Sequence, residues 1–437
     1  MKDAFDAERF RAEGHAVVDL LADHLRAARA RQVPVLPWTE PDEQLERWPA
    51  GFPEEPSGDL RGFVARVVEH STHLHSPKFV GHQVSAPLPS AALLELVSAF
   101  LNNGTGVYEM GPASNAMERR VVRFLAQAAG MPDVADGILT SGGSVGNLTA
   151  LLTARQLRKR GVVVCSDQTH YSVARAAQIL GLEAVAVASD ERYRMRPESL
   201  EQVPGEILAV VASAGSTSTG AFDPLEPIAD FCARRGAWLH VDGAHGASAV
   251  LSGKYRSALR GIGRADSLTW DAHKLMLMPA LVTAVLYRDG AHSHATFSQE
   301  AHYLFSGKNW WDSGLRTLEC TKRMMSVELY GALRIHGTRF FADYVTRMFD
   351  LARSFAKLLR EEGFGLAVEP DCNIVCFRDP ARDDAWHEEA RRTLFRRGSF
   401  YLVQTKLRGK VFLRTTLIHP DTNEQDLVEL VRELKAT

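Results

Sequence analysis

Thr140-Ser-Gly-Gly-Ser-Val-Gly-Asn147 closes the apolar run Gly137–Thr140 and opens the helical pattern Ser144–Lys159. A strand that ends on paired glycines and restarts as a helix is the connection of an α/β unit, with ligand space at the strand's carboxyl end. The alternation continues down the chain. Further short apolar runs stand at Val162–Ser166, Ala184–Ala188, Ile207–Ala212, Trp238–Val241, Ser267–Trp270 and Leu281–Leu286, with helical patterns at Tyr171–Leu180 and Pro224–Arg235. These runs predict one mostly parallel, seven-stranded sheet covered on both faces.

The flanks read differently. Residues 1–70 form a helical arm in which Phe5, Val17, Val18, Leu20, Leu21 and Leu25 interleave with charges, followed by the connection VPVLPWTEPDEQ and the polar loop WPAGFPEEPSGD. An arm with so little core must pack on its own chain or on a second subunit. Residues 71–338 make up the large α/β domain. Residues 339–437 predict a smaller α+β domain: helices near Phe340–Glu361 and Trp386–Arg397, strands at Asn373–Phe377 and Val411–Thr415, and a last helix after Asp421.

The 437 residues carry 51 Lys+Arg against 53 Asp+Glu, so net charge alone supplies no reason to expect nucleic acid or an anionic membrane as partner. The longest apolar stretch, Leu275–Tyr287, is too short to span a bilayer and contains Pro279. The charged N-terminus lacks the apolar core of a signal peptide, and five scattered cysteines make a disulfide framework an unsuitable reading. A soluble cytoplasmic protein with reduced thiols is the expectation. Cys372 and Cys376 share one face of an expected strand and read as core. The basic run Arg391–Arg397 reads as a solvated helix face, and no metal site is expected.

Three stretches carry chemistry. In Thr140–Asn147, Gly143 and Ser144 are placed to hold a phosphate on free N–H groups at a helix start. Gly142–Gly146 also matches G-x-S-x-G, the turn that exposes a hydrolase nucleophile, and a plain turn with an N-cap serine is the third reading. In Trp238-Leu-His-Val-Asp-Gly-Ala-His-Gly246, Asp242 follows an apolar strand directly, where it could ligate a metal, orient a histidine or pair with a buried cationic nitrogen. His240 and His245 read as hydrogen-bonded histidines rather than metal ligands. In Asp266-Ser-Leu-Thr-Trp-Asp-Ala-His-Lys274, Lys274 precedes the apolar Leu-Met-Leu-Met and either snorkels to solvent or is buried as a nucleophilic amine. Together, a phosphate loop, a strand-end carboxylate and a later lysine are the parts that hold pyridoxal 5′-phosphate.

The chain resembles the group II pyridoxal-phosphate decarboxylases, the family of glutamate, cysteine-sulfinate, aromatic-amino-acid and diaminobutyrate decarboxylases. The resemblance runs from about His73 to the C-terminus. It rests on Ser-Gly-Gly-Ser-x-x-Asn, Gly220-Ala-Phe-Asp-Pro-Leu225, His-Val-Asp-x-Ala and Asp-x-His-Lys. It implies fold type I, the aspartate-aminotransferase-like architecture, and a homodimer with its active site at the subunit interface. It implies Lys274 as the Schiff-base lysine, Asp242 as partner of the ring nitrogen, Ala244 beneath the ring and His170 stacked on its other face. Gly143, Ser144 and His273 match phosphate ligands, Thr217 a cofactor contact, and Asp271 stands in the cofactor set where some relatives carry Asn. Ser144 thereby loses its claim as a nucleophile. Tyr303 resembles the tyrosine of a mobile catalytic loop, Arg414 the arginine that grips a substrate carboxylate, and Gln83 and Ser85 pocket residues of the glutamate branch.

The chain departs from the animal enzymes in being shorter and in having Val145-Gly146 after the phosphate serine, and Tyr108-Glu-Met-Gly-Pro112 is closer to bacterial relatives of unassigned substrate. The activity implied is α-decarboxylation of a small acidic L-amino acid such as aspartate, cysteine sulfinate or glutamate, with Tyr303 or His170 returning the proton. Diaminobutyrate or an aromatic amino acid is the alternative, as is another outcome in the same fold: transamination, aldol cleavage or oxidation. A serine hydrolase using Ser144 is the remotest.

Overall fold

The computed structural model describes residues 2–55, 58–298 and 310–437. Seven strands build the main sheet: β1 (Asp136–Thr140), β2 (Val162–Ser166), β3 (Ala184–Val187), β4 (Ile207–Ser213), β5 (Trp238–Asp242), β6 (Ser267–Asp271) and β7 (Thr283–Tyr287). Their order is β1-β7-β6-β5-β4-β2-β3. Strands β3, β2, β4, β5 and β6 run parallel, whereas β7 is antiparallel to both β6 and β1. The apolar run before β7 starts two residues ahead of its strand, because Leu281 and Val282 still belong to the loop that follows Lys274.

The runs read as near-continuous apolar sequence because both faces are covered. Strands β1, β4, β5, β6 and β7 are buried at every position. The helix Gly143–Arg158 buries Ala150, Leu151 and Ala154 in a cluster with Ile138, Val163 and Val285, and Tyr171–Ile179 adds Val173, Ala176 and Ala177 to it. A buried ion pair fixes β1 from behind. Lys322 Nζ lies 2.7 Å from Glu118 Oε1 and donates to the Leu139 carbonyl at 2.7 Å, while Glu118 accepts the Leu139 N–H.

Compactness divides the chain into two units. One comprises residues 83–356 with 366–376, and contains the seven-stranded sheet. The other comprises residues 1–82, 357–365 and 377–437. In this second unit the arm helix Ala7–Arg29, capped by Asp6, buries only Ala28. Arg31 clamps Asp426 through two hydrogen bonds of 2.6 and 2.8 Å, and Arg29 meets Asp421 at 2.6 Å. Part of the expected connection VPVLPWTEPDEQ is helical, at Pro41–Glu46, with Pro41 pre-set for a first helical position.

A four-stranded sheet has the order β10-β11-β9-β8, from β8 (Gly365–Leu366), β9 (Ile374–Arg378), β10 (Val403–Leu407) and β11 (Lys410–Thr416). The helices Asp384–Arg397 and Glu424–Lys435 stand where expected. Strands β8 and β10 were not expected: one is two residues long, and the other reads as the polar Val-Gln-Thr-Lys-Leu. The long helical stretch Met325–Glu361 breaks at Gly337 (φ 76°), so that the helix expected near Phe340–Glu361 follows a separate helical segment from Met325. All five cysteines are free thiols; Cys372 and Cys376 are buried, as core packing requires.

Candidate active site

The carboxyl ends of β1, β4, β5 and β6 deliver their following loops to one cavity of about 310 Å³. Its lining includes Gln83, Gly143, Ser144, His170, Thr217, Asp242, Ala244, Asp271, His273 and Lys274. This is the strand-end crevice in which open α/β sheets bind ligands.

Its anion-binding corner comes from the turn after β1. Gly142 sits at φ 100°, a left-handed conformation that side-chain-bearing residues avoid, and no side chain caps the helix it starts. The first intrahelical bond is made by Gly146 N–H to the Gly142 carbonyl, so the N–H groups of Gly143, Ser144 and Val145 are left for a ligand. A Cβ on Gly143 would lie 3.0 Å from the Asp271 carboxylate, so this residue is small because the β6 loop passes close by. Ser144 is exposed, and among the described residues no histidine or carboxylate hydrogen-bonds to it, as an activated nucleophile requires.

Asp242 ends β5 and is 8 % exposed. Each of its oxygens accepts one hydrogen bond, Oδ2 from Asn147 Nδ2 at 2.9 Å and Oδ1 from Ala244 N–H at 3.2 Å. A carboxylate held in this way keeps lone pairs for one cationic N–H. His170 caps the helix Tyr171–Ile179, with Nδ1 2.7 Å from the Ser172 hydroxyl. Burial holds the His170 imidazolium below its ordinary pKa, with Asp242 pulling the other way and Lys274 adding repulsion.

Lys274 Nζ is 2.9 Å from Asp271 Oδ2. Thr283 Oγ1 donates to Asp271 Oδ1 at 2.6 Å. Burial opposes the charge of Asp271, yet Lys274, His273 and the Thr283 hydroxyl together hold its carboxyl below the ordinary value. The lysine that sequence left between snorkelling and burial is therefore half-buried, ion-paired and inside the cavity.

Three other expected site residues are not among the described residues that line the cavity. Ser85 is buried and donates to the His273 carbonyl at 3.1 Å, steadying the Lys274 loop rather than lining the cavity. Arg414 belongs to the second unit, where it is buried on β11 with Nη2 3.3 Å from Thr416 Oγ1. Tyr303 lies outside the described residues.

Sequence reasoning assigned no role to Asn147 or Glu319, and read His245 as a hydrogen-bonded histidine without placing it in the cavity. Asn147 stands in the Ser-Gly-Gly-Ser-x-x-Asn motif one turn after Gly143, hence on the same helix face, a signal that was available. His245 lines the cavity with Nε2 2.7 Å from Asn373 Oδ1, and Glu319 accepts from the hydroxyls of Thr140 and Ser141; neither pairing is visible in local sequence.

The residues present fit pyridoxal phosphate. They supply an uncapped helix N-terminus for a phosphate, a buried carboxylate for a ring nitrogen, a primary amine for an aldehyde, and a buried Gln83 amide nitrogen that has no hydrogen-bond partner among the described residues.

Comparison with known proteins agrees. An aromatic-L-amino-acid decarboxylase of Bacillus atrophaeus is 30% identical over 98% of this chain and 95% of its own. The cysteine sulfinic acid decarboxylase of Homo sapiens is 33% identical over 78% of this chain and 76% of its own. A crystal structure of mouse CSAD superposes with a TM-score of 0.89 at 27% identity, covering 98% of both chains. The fold is shared as well with Oryza sativa TDC, at a TM-score of 0.90 and 24% identity over 99% of this chain and 98% of that one. The family described as "Pyridoxal-dependent decarboxylase conserved domain" matches residues 41–379, and the chain belongs to this family of fold-type I enzymes.

Proposed function

We propose that this enzyme removes the α-carboxylate of a small acidic L-amino acid, releasing carbon dioxide and the amine. The observation that carries the reading is the gathering of Lys274, Asp242, His170 and the Gly143–Ser144 helix start in one cavity.

In the bound state Gly143 and Ser144 would take the phosphate, with His273 and Thr217, which line the same cavity, as further contacts. Lys274 would anchor the aldehyde carbon, Asp242 would hold the ring nitrogen protonated, and Ala244 and His170 would face the ring from opposite sides. Pyridoxal phosphate then supplies an electron sink for the bond that breaks. The chain's own task is orientation: the scissile Cα–carboxylate bond must stand perpendicular to the ring plane, and its carboxylate must be kept from water. Asp271, 2.9 Å from Lys274 Nζ, would hold the protonated form of that amine. Tyr303 would return a proton to Cα, with His170 as the alternative donor.

Gln83 supports an acidic substrate, because it lines the cavity and its buried amide nitrogen is a donor with no acceptor among the described residues. The human relative that acts on cysteine sulfinic acid points the same way. Arg414 would add a carboxylate grip through paired charge-assisted bonds.

A homodimer accompanies this reading. The helix Pro89–Leu101 leaves Leu93, Leu96, Val97, Phe100 and Leu101 exposed, and the arm leaves Phe5 and Phe10 exposed, apolar surface suited to a second copy. Among the described residues no helix is long and apolar enough to cross a membrane.

The deciding experiment measures carbon dioxide, amine and keto-acid release over the proteinogenic and small acidic amino acids. Highest kcat/KM for aspartate, cysteine sulfinate or glutamate with equimolar carbon dioxide and amine is expected. Preference for an aromatic or basic amino acid, or keto acid as main product, refutes the reading. Sedimentation of the same preparation as a fully active monomer refutes the dimer.

A further inference from the structure

Behind the cavity runs a chain of hydrogen bonds whose direction is set by the carboxylate at one end. Trp238 Nε1, which can only donate, lies 2.8 Å from Ser267 Oγ. Ser267 Oγ is 2.9 Å from His240 Nδ1, and His240 Nε2 is 3.0 Å from Asn147 Oδ1. The two hydrogens of Asn147 Nδ2 go to Asp242 Oδ2 at 2.9 Å and Ser172 Oγ at 3.0 Å. Ser172 Oγ meets His170 Nδ1 at 2.7 Å, and the same nitrogen accepts the Ser172 backbone N–H at 3.3 Å.

An ionised carboxylate has no donor, so the direction is set from the Asp242 end, and Ser267, which accepts from the indole, keeps its hydroxyl hydrogen for a neutral His240. Turning the Asn147 amide over would aim its oxygen at Asp242 and its hydrogens at His240. Ser267 therefore donates to His240, His240 donates from Nε2 to Asn147, and Ser172 donates to His170. His170 is left with its proton on Nε2. Asn147 is 1 % exposed and His240 fully buried, and His240 does not line the cavity. Burial pushes the His240 imidazolium down to about 4, which keeps the ring in the neutral form this direction needs.

We propose that Asn147 is a positioning residue for the cofactor site, its amide set from behind by His240, holding Asp242 as acceptor for the ring nitrogen and, through Ser172, His170 in its Nε2-protonated form. The inference rests on pyridoxal phosphate occupying the cavity as proposed above.

The test titrates pyridoxal phosphate into the full-length protein and records histidine ring nitrogen-15 shifts of the same proteins before cofactor is added. The wild type is expected to bind and to show His170 protonated on Nε2. Asn147→Asp is nearly isosteric but turns two donors into acceptors. It is expected to bind at least about tenfold more weakly, the loss of a hydrogen bond to a charged group, and to move the His170 shifts. His240→Leu is expected to weaken binding by about threefold or more, with an unanchored amide. His240→Gln can present an amide N–H to Asn147 and an amide oxygen to Ser267, and is expected to stay near wild type. Wild-type affinity and His170 shifts in Asn147→Asp, or equal affinity in His240→Leu and His240→Gln, overturn the inference. Should Asn147→Asp fail to fold, the two His240 variants decide alone. A wild-type chain that takes up no pyridoxal phosphate overturns the proposed function, and this inference with it.

Discussion

Lys274 Nζ lies 2.9 Å from Asp271 Oδ2, one helical turn of sequence away and within the same cavity. The Lys274 amine thus pairs with a carboxylate only 2 % exposed, while Thr283 donates to the other carboxylate oxygen. The pair balances a buried negative charge against the Lys274 ammonium.

Lys274→Ala is expected to abolish the visible absorbance of bound cofactor and essentially all turnover. It should also destabilise the cofactor-free protein by about 3 kcal/mol, the low end for breaking a buried pair, since Lys274 keeps 19 % exposure. Adding Asp271→Asn to that variant should return most of the loss. Urea unfolding of the single and double variants checks this, and additive effects would show that the pair is uncoupled.

Stability is expected to fall between pH 6.5 and about 4. Burial pushes His240 and His419 down from 6.5 to about 4, so each contributes stability that is present above 6.5 and lost as pH falls through 4. Each shift corresponds to about 3 kcal/mol. Asp223, pushed up to about 6 by burial, works in the opposite sense, since its share of stability is lost as pH rises from 3.8 to 6. Two histidines outweigh one carboxyl. Unfolding midpoints across this range should drop on acidification, and His240→Gln should flatten the slope.

Lys322→Met is expected to cost about 3–5 kcal/mol, because it strands Glu118 as a buried charge and removes the donor on the Leu139 carbonyl. Lys322→Met with Glu118→Gln should recover part of that. Thermal unfolding with retained helical dichroism separates this loss from misfolding.

Tyr303→Phe is expected to form carbon dioxide in its first turnover yet inactivate during continued reaction, with fresh cofactor restoring it. Removing a placed proton donor costs roughly 10²–10⁴-fold in the step it serves. Amine formation at the parent rate without inactivation would pass the donor role to His170.

The seven strands and the positions of Gly143, Asp242 and Lys274 near strand ends were legible from local pattern. A buried parallel strand is an apolar run, and the residue after it lies at the sheet's carboxyl edge whatever surrounds it. Strand β10 was hidden for the converse reason: three of its five residues are not buried, so Val-Gln-Thr-Lys-Leu shows no apolar run.

What the chain's own order of residues determined, then, was its class of fold and the placing of Gly143, Asp242 and Lys274 beside strand ends, because each depends on period, strand ends and residue type. Only the tertiary structure decided that His240 reaches Asn147 across 93 residues, that Ser85 serves the His273 carbonyl, and that Lys274 rests on Asp271. These contacts depend on strand register and on which polar atoms the packed sheet leaves without a backbone partner. Neither quantity exists until β5, β6 and the Gly143–Arg158 helix have come together.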